Sequence, residues 1–243
     1  MDDAIAGLRR LIDASARITV VTGAGVSAAS GVPTFRGPGG LWRSFRPEEL
    51  ATPSAFRRDA RLVWEWYDWR RGLIASCEPN AAHRTIARWS ERPGFTLITQ
   101  NVDGLHERAG TRHVLRYHGS IWHLRCSAGC SQTDWEDRRA PLPQLPPLCP
   151  ACGALARPGV VWFGEPIDPA VAAAAESAGA CDLFMSIGTS SVVYPAAGLL
   201  QQARWHGATT VEINPEATPF TSGVDLAIPM RAEEALASIA GAA

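Results

Sequence analysis

Five short runs along the chain have the character of strands. They lie at residues 18–22, 95–101, 114–119, 181–190 and 209–215, and most of them are continuously apolar. A strand with one solvent-exposed face alternates apolar and polar residues, whereas a parallel strand that is buried on both faces is apolar throughout. The pattern therefore predicts a parallel sheet that is buried on both faces.

Helical patterns alternate with these runs. They cover an N-terminal amphipathic segment and residues 78–92, 168–180, 196–207 and 231–243. Strands that alternate with helices along a chain form an open sheet with helices on both faces. The predicted fold class is α/β, with a Rossmann-like, doubly wound parallel sheet.

Two segments interrupt the alternation. Residues 37–78 begin with glycines and contain a tryptophan-rich helical pattern, which predicts a helical insertion. Residues 120–157 are rich in proline and hold four of the six cysteines, a composition typical of a small metal-stabilised module. The Rossmann core of this single 243-residue unit is then expected at 1–36, 79–119 and 158–243.

Composition narrows the range of partners. The formal net charge is −1 and the hydrophobic content is 46%, so we expect a globular core and no basic face for nucleic acid. No apolar run reaches the roughly 18 residues of a membrane span, and the chain begins with an acidic amphipathic segment. A cytoplasmic protein without membrane or nucleic-acid partners is expected.

Four cysteines have the spacing of a metal site. Cys126 and Cys130 form C-x3-C, and after eighteen residues Cys149 and Cys152 form C-x2-C. This pattern is typical of a four-thiolate zinc site, although the first pair has one extra residue. Two disulfides are the alternative, which we consider weaker because nothing directs the chain to an oxidising compartment. Four thiolates fill the zinc coordination sphere, so the metal is expected to be structural.

A glycine-rich turn follows the first strand pattern. Gly23, Gly25 and Ala28 match G-x-G-x-x-A between a strand and a helix, where backbone amides can bind a pyrophosphate. The match alone is weak, since such a turn can be merely structural. The acidic ribose ligand expected about 20 residues later is also missing, because Glu48 and Glu49 lie in the predicted insertion.

His118 stands out among the six histidines. It follows a strand pattern and precedes glycine, and the polar residues Gln100, Asn101 and Asp103 follow the preceding strand. The carboxyl ends of parallel strands border one crevice, where a histidine can act as a general base near neutral pH. A purely structural histidine is the alternative.

The octapeptide WEWYDWRR, residues 64–71, combines aromatic and cationic side chains in one helical pattern. Aromatic residues at this spacing usually form a core stripe. Tyr67 and Arg70, however, are at i and i+3 and can converge on one small target.

Seven sequence blocks together resemble the sirtuins, NAD-dependent protein deacylases. They are GAGVSAASGVPTFRG, TQNVDGLH, HGS, the cysteine pairs, VVWFGE, GTSS and INPE, and the resemblance runs over residues 18–230. Three further blocks, LATPSAF, WEWYDWRR and GTSSVVYPAA, resemble the subgroup that removes succinyl and malonyl groups. The resemblance implies a Rossmann domain, a helical insertion and a zinc ribbon, with NAD and acyl-lysine meeting between them.

The resemblance also implies an NAD site in which Ala29 replaces the family's usual glutamate. The residues that it assigns to NAD are Gly23, Ala24, Gly25, Ser27, Phe35, Arg36, Trp42, Gln100, Asn101, Asp103, Gly188, Thr189, Ser190, Asn214 and Glu216.

The implied reaction begins when the acyl oxygen attacks the ribose C1′ and nicotinamide leaves. His118 then serves as general base toward the ribose hydroxyls, and the products are nicotinamide, free lysine and 2′-O-acyl-ADP-ribose. The substrate chain would pair as an added strand with Val161, Trp162, Phe163 and Gly164.

Tyr67 and Arg70 would hold an acidic acyl group, with weaker acetyl removal expected. The expected partners are acyl-lysine proteins or peptides, and we expect a monomer. The alternatives are an NAD or ADP-ribose sensor and a protein ADP-ribosyltransferase on the same fold. The combination of His118, Asn101 and Asp103 argues against a sensor.

Overall fold

The computed structural model describes residues 2–35, 40–41 and 46–240, so Arg36 and Trp42 lie outside the described residues. The strands are β1 (Ile18–Thr22), β2 (Phe95–Thr99), β3 (Val114–Arg116), β4 (Gly119–Cys126), β5 (Trp135–Glu136), β6 (Ala156–Val160), β7 (Leu183–Ile187), β8 (Thr209–Ile213) and β9 (Leu226–Ile228). The helices are α1 (Asp2–Ala14), α2 (Gly25–Ala28), α3 (Pro47–Leu50), α4 (Pro53–Arg58), α5 (Ala60–Ala75), α6 (Ala81–Trp89), α7 (Leu105–Arg108), α8 (Pro169–Ala178), α9 (Gly198–Trp205) and α10 (Ala232–Ala240).

Six strands form a parallel sheet in the order β3-β2-β1-β7-β8-β9. All five residues of β1 and all five of β7 are buried, which explains why neither strand alternates in sequence. The predicted doubly wound parallel sheet is confirmed. Strand β9 was not predicted, because a three-residue edge strand is too short to have a recognisable period.

Local sequence signals fix where helices begin. The Asp59 side chain caps α5 by accepting a 2.9 Å hydrogen bond from the Leu62 amide, and Asn80 caps α6 in the same way through the Ala82 amide at 2.9 Å. Such side-chain oxygens satisfy amides that have no partner inside the helix. None of the helices in the described ranges combines the length and apolarity needed to cross a bilayer.

A second, antiparallel sheet has the strand order β5-β4-β6. It lies within and around the proline-rich segment, and β4 ends at Cys126, the first residue of the cysteine pattern. Helix α5 packs against this sheet, and their buried side chains share one apolar cluster. Tyr67 and Trp162, two of the substrate residues predicted from sequence, therefore pack in the same cluster as side chains of the second sheet.

The loops after β1 and β7 approach each other without side chains between them. The Gly25 amide donates a 2.8 Å hydrogen bond to the Gly188 carbonyl. A Cβ on Gly25 would lie 2.8 Å from the Gly188 Cα, and Gly188 itself has a φ of +60°. Glycine is therefore required at both positions, and the two strand ends can border one cleft.

Candidate active site

A cleft with a volume of ≈ 580 Å³ opens at the carboxyl ends of the parallel strands, beside the segment that follows β6. This volume lies within the range of about 300–1,000 Å³ that is usual for ligand sites. Most of the site residues predicted from the sequence line it: Gly23, Ala24, Gly25, Phe35, Tyr67, Arg70, Gln100, Asn101, His118, Val161, Trp162, Phe163, Gly164, Gly188, Thr189, Ser190, Asn214 and Glu216.

His118 lies between β3 and β4 on the cleft wall. Its Nδ1 is 3.2 Å from the Gln100 carbonyl oxygen. A carbonyl can only accept, so in the neutral ring Nδ1 carries the proton and Nε2 keeps a lone pair. Burial lowers the pKa of His118, and the hydrogen bond with Gln100 opposes this shift. The ring is therefore neutral at neutral pH and can accept a proton at Nε2.

Side-chain amides join the loops at the carboxyl ends of the parallel strands. Gln100 Nε2 donates to Thr189 Oγ1 at 3.0 Å, and Asn214 Nδ2 donates to the Thr189 carbonyl at 2.8 Å. Asn101 Nδ2 donates to the Gly23 carbonyl at 3.0 Å. The amide nitrogens thus hold the loops together, while the amide oxygens of Gln100 and Asn101 accept no hydrogen bond from the described residues.

The lining of the cleft also includes a buried phenol and a buried guanidinium. Tyr67 is 3% exposed and Arg70 is 6% exposed. The Tyr67 oxygen accepts a 3.0 Å hydrogen bond from Trp162 Nε1. The Arg70 guanidinium carbon lies 4.8 Å from the ring centroids of both Phe35 and Trp66, so the cation contacts two aromatic rings.

Arg70 has no ion-pair partner among the described residues. The two acidic residues closest in sequence bind elsewhere: Glu65 pairs with Arg61 at 2.8 Å, and Asp68 accepts a 2.8 Å hydrogen bond from the Leu142 amide. Burial lowers the pKa of Arg70. The cleft therefore contains a desolvated guanidinium whose hydrogen-bonding capacity is not used by a carboxylate of the described chain.

The segment after β6 uses its backbone amides within the protein. Val161 donates to the His118 carbonyl at 3.0 Å, and Phe163 donates to the Ala51 carbonyl at 2.9 Å. The Trp162 amide donates to a Glu165 carboxylate oxygen at 2.9 Å. The amides of residues 161–163 are therefore not available to the predicted added strand. Carbonyl groups of the segment, such as that of Val161, remain as acceptors for it.

The four predicted metal ligands form a compact cluster. Their sulfur atoms all lie within 4.8 Å of one another. The Cys126–Cys152 and Cys130–Cys149 sulfur pairs are each 3.6 Å apart, and all four thiols are free. Tetrahedral zinc with bonds of about 2.3 Å separates its sulfurs by about 3.8 Å. The cluster therefore fits one structural zinc ion and not two disulfides.

Comparison with known proteins identifies the family. The sequence profile of the Sir2 family matches residues 23–195. The chain belongs to the Sir2 family. An NAD-dependent protein deacylase of Aquifex aeolicus is 51% identical over 225 residues, which cover 91% of this chain and 93% of the relative. NAD-dependent protein deacylase 2 of Pyrobaculum aerophilum is 51% identical over 229 residues, which cover 93% and 90%.

Solved structures agree with this assignment. A mutant Sir2 homologue in complex with ADP-ribose has a TM-score of 0.92 and 43% identity, covering 96% of this chain and 94% of that chain. A complex of a Sir2 homologue with NAD has a TM-score of 0.88 and 43% identity, covering 98% and 94%. The fold of this Sir2-family protein is therefore matched over nearly its full length.

Two residues predicted to contact the cofactor lie behind the wall of the Sir2-family cleft. Ser27 is fully buried and donates a 2.7 Å hydrogen bond to Asp103, which is 4% exposed. Asn101 Nδ2 lies 3.2 Å from the same Ser27 oxygen. In this structure, Ser27 and Asp103 support Asn101 and do not line the cleft.

Two buried histidines extend this network. The rings of His83 and His106 lie 4.8 Å apart, with His83 Nε2 3.3 Å from Ser27 Oγ and His106 Nε2 3.0 Å from Thr22 Oγ1. Burial, aided by the neighbouring His106, lowers the pKa of His83 to about 3. Burial lowers the pKa of His106 to about 3 as well. Both rings are therefore neutral in the folded protein at ordinary pH.

Several lining residues were not predicted from the sequence. Some of them lie outside every motif block, namely Ile167, Ala217, Thr218, Arg231 and Glu233. Others belong to a motif block but were not assigned to the site, namely Thr34, Trp66, Val102, Val193, Tyr194 and Pro195. Tyr194 is 71% exposed beside the cleft, and an exposed aromatic residue in a loop leaves no periodic signal.

Replacing Cys149 with alanine should abolish zinc binding and lower the melting temperature or cause aggregation, because structural zinc contributes directly to folding. Metal content and thermal unfolding are the measurements. Cys181→Ala, which removes a buried thiol outside the cluster, should retain zinc. A folded, metal-free Cys149→Ala protein that loses only catalysis would contradict a structural role.

Acid should destabilise the protein through the histidine pair. The folded-state pKa of His106 is about 3, whereas a histidine in the unfolded chain has a pKa of about 6.5. As the pH falls below about 6.5, the unfolded chain therefore binds a proton at this residue and the folded chain does not, which favours unfolding. His106→Gln should therefore flatten the pH dependence of unfolding free energy between pH 4 and 6 by ~1.4 kcal/mol per pH unit. Thr22→Val, which removes a hydrogen bond but no titrating group, should keep the wild-type slope.

Proposed function

We propose that this Sir2-family protein removes acyl groups from protein lysines in an NAD-dependent reaction and prefers acidic ones, succinyl and malonyl, to acetyl. The products would be nicotinamide, 2′-O-acyl-ADP-ribose and free lysine. The observation that carries the acyl preference is the buried Arg70, which has no carboxylate partner within the described residues and lies in the same cleft as His118.

Family membership supports the general activity. Relatives at 51% identity are named NAD-dependent protein deacylases, and each matches this chain over at least 90% of its own length. The cleft also suits a dinucleotide. Its glycine loops approach through Gly25 and Gly188, and the Ala24 amide on its wall makes no hydrogen bond with the described chain. A free amide beside close-packed glycines can bind a phosphate oxygen.

The acidic preference rests on the cost of a buried charge. A guanidinium removed from water is unfavourable unless a counter-charge and hydrogen bonds compensate it. A succinyl or malonyl carboxylate could accept two parallel hydrogen bonds from Arg70, which a methyl group cannot do. Burial raises the pKa of Tyr67, so its phenol remains a neutral donor that can add a further hydrogen bond.

When bound, NAD would supply an electrophilic ribose carbon that carries nicotinamide as leaving group. Gln100 and Asn101 can accept hydrogen bonds from amide or hydroxyl groups of that half of the ligand. His118 can take a proton at Nε2, because its Nδ1 proton is engaged by the Gln100 carbonyl. The Val161 carbonyl, on the same segment as Trp162, can accept a hydrogen bond from the substrate amide.

The deciding experiment is to incubate the protein with NAD and a succinyl-lysine peptide and to identify both products by mass. A deacylase releases free lysine peptide together with 2′-O-acyl-ADP-ribose. A sensor yields neither product, and an ADP-ribosyltransferase yields an ADP-ribosylated protein. His118→Ala should reduce turnover by about 10²–10⁴-fold, the usual contribution of general acid–base catalysis, and should still bind NAD. Near-normal turnover of this variant would exclude His118 as the base.

The acyl preference is tested by kcat/KM on matched succinyl, malonyl and acetyl peptides. Arg70→Met should lower the succinyl-to-acetyl ratio by about 10- to 150-fold, since a hydrogen bond to a charged group is worth about 1.5–3 kcal/mol. Tyr67→Phe should lower it less, because a neutral donor is lost. Arg61→Met makes the same substitution at an exposed position of α5 and should keep the ratio. An unchanged ratio in Arg70→Met would refute the acidic preference.

A further inference from the structure

The Tyr67 hydroxyl is itself oriented by a neighbour that is 95 positions away in the sequence. Trp162 Nε1 lies 3.0 Å from the Tyr67 oxygen, and both side chains are only 3% exposed. An indole nitrogen can only donate, so the phenol oxygen is the acceptor. One lone pair of that oxygen is therefore occupied, and the phenol proton must be directed elsewhere.

Trp162 is held firmly enough to serve as a fixed donor. The Arg157 guanidinium lies 3.6 Å from the centroid of its ring, and the Phe56 ring lies 5.4 Å away. Its backbone amide is bound by Glu165 at 2.9 Å, and Glu165 forms an ion pair with Arg157. Ring and backbone of Trp162 are thus both restrained by the same ion pair.

A phenol without such a donor can rotate its proton between two in-plane directions. One of them points toward the indole N–H of Trp162, and the other points away from it. The bond from Trp162 removes the first option, because two hydrogens cannot share that position. The Tyr67 hydroxyl is thereby prepared as a donor before any ligand binds, which lowers the entropy lost on binding.

We propose that Trp162 is a specificity-determining positioning residue, whose indole N–H directs the Tyr67 proton toward the distal carboxylate of an acidic acyl group. The inference rests on the proposed acidic-acyl function. It also links two parts of the site, because Trp162 belongs to the segment predicted to pair with the substrate backbone, whereas Tyr67 belongs to α5.

The test is the succinyl-to-acetyl ratio of kcat/KM in Trp162→Phe, which keeps an aromatic ring beside Arg157 and Phe56 but removes the N–H. The ratio should fall by about 2- to 10-fold, the range for a neutral hydrogen bond. In the Tyr67→Phe background the same substitution should leave the ratio unchanged, because no hydroxyl remains to be oriented. A merely structural role of Trp162 would instead lower both activities in both backgrounds.

Trp64 provides the matched control. It is fully buried in α5, and its Nε1 donates a 2.8 Å hydrogen bond to the Ala156 carbonyl, away from Tyr67. Trp64→Phe therefore removes an equivalent buried indole N–H, and it should reduce stability without changing the ratio. Should Trp162→Phe fail to fold, site-specific replacement by benzothienylalanine keeps both rings and removes only the donor.

The outcomes distinguish this inference from the proposed function. A wild-type protein with no acidic preference would overturn the proposed function and this inference with it. A wild-type preference that survives in Trp162→Phe, or that falls equally in the Tyr67→Phe background, would overturn the role of Trp162 alone.

Discussion

Two adjacent arginines of α5 are both buried, and only one of them is paired by the described chain. Arg71 is fully buried and donates to the backbone carbonyls of Ile121, Asp137 and Arg139, with the Asp137 carboxylate 3.6 Å away. A buried charge demands this degree of compensation. The groups that compensate the charge of Arg71 belong to the second sheet and the loop that follows β5. These hydrogen bonds therefore hold α5 against the second sheet. The charge of Arg70 is compensated only in part, by two aromatic rings and by the nearby Asp103 without an ion pair.

These contacts of Arg71 also determine the geometry around Tyr67 and Arg70, the proposed acyl pocket. Trp64 and Asp68 hold the same helix through hydrogen bonds to the Ala156 carbonyl and from the Leu142 amide, both at 2.8 Å. With this side of α5 fixed, Tyr67 and Arg70 cannot withdraw from the cleft without breaking buried hydrogen bonds. The pocket is therefore preorganised, and a ligand carboxylate would meet donors whose positions were fixed during folding.

Sequence patterns predicted the features that depend on burial and spacing. Strands β1 and β7 are buried on both faces and so are apolar in sequence, and the cysteine spacing predicted a cluster that the structure contains. Such patterns do not predict which side chains contact each other. Ser27 and Asp103 carry ordinary polar motif signals, yet they bind each other behind the wall. Nothing in a pattern connects Trp162 to Tyr67, since their contact arises only when the segment after β6 packs against α5.

The buried state of Arg70 also bears on whether the proposed acidic preference would exclude acetyl groups. Discrimination against a ligand is strong when its binding newly removes a polar group from water. Arg70 is already 6% exposed before any ligand is present, so the cost of desolvating it is incurred on folding. Binding of an acetyl substrate would add little to the desolvation cost of Arg70, and it would provide no carboxylate to compensate the charge. Under the proposed function, acidic acyl groups would therefore gain binding energy relative to acetyl, and acetyl would retain the reactivity that the rest of the cleft provides.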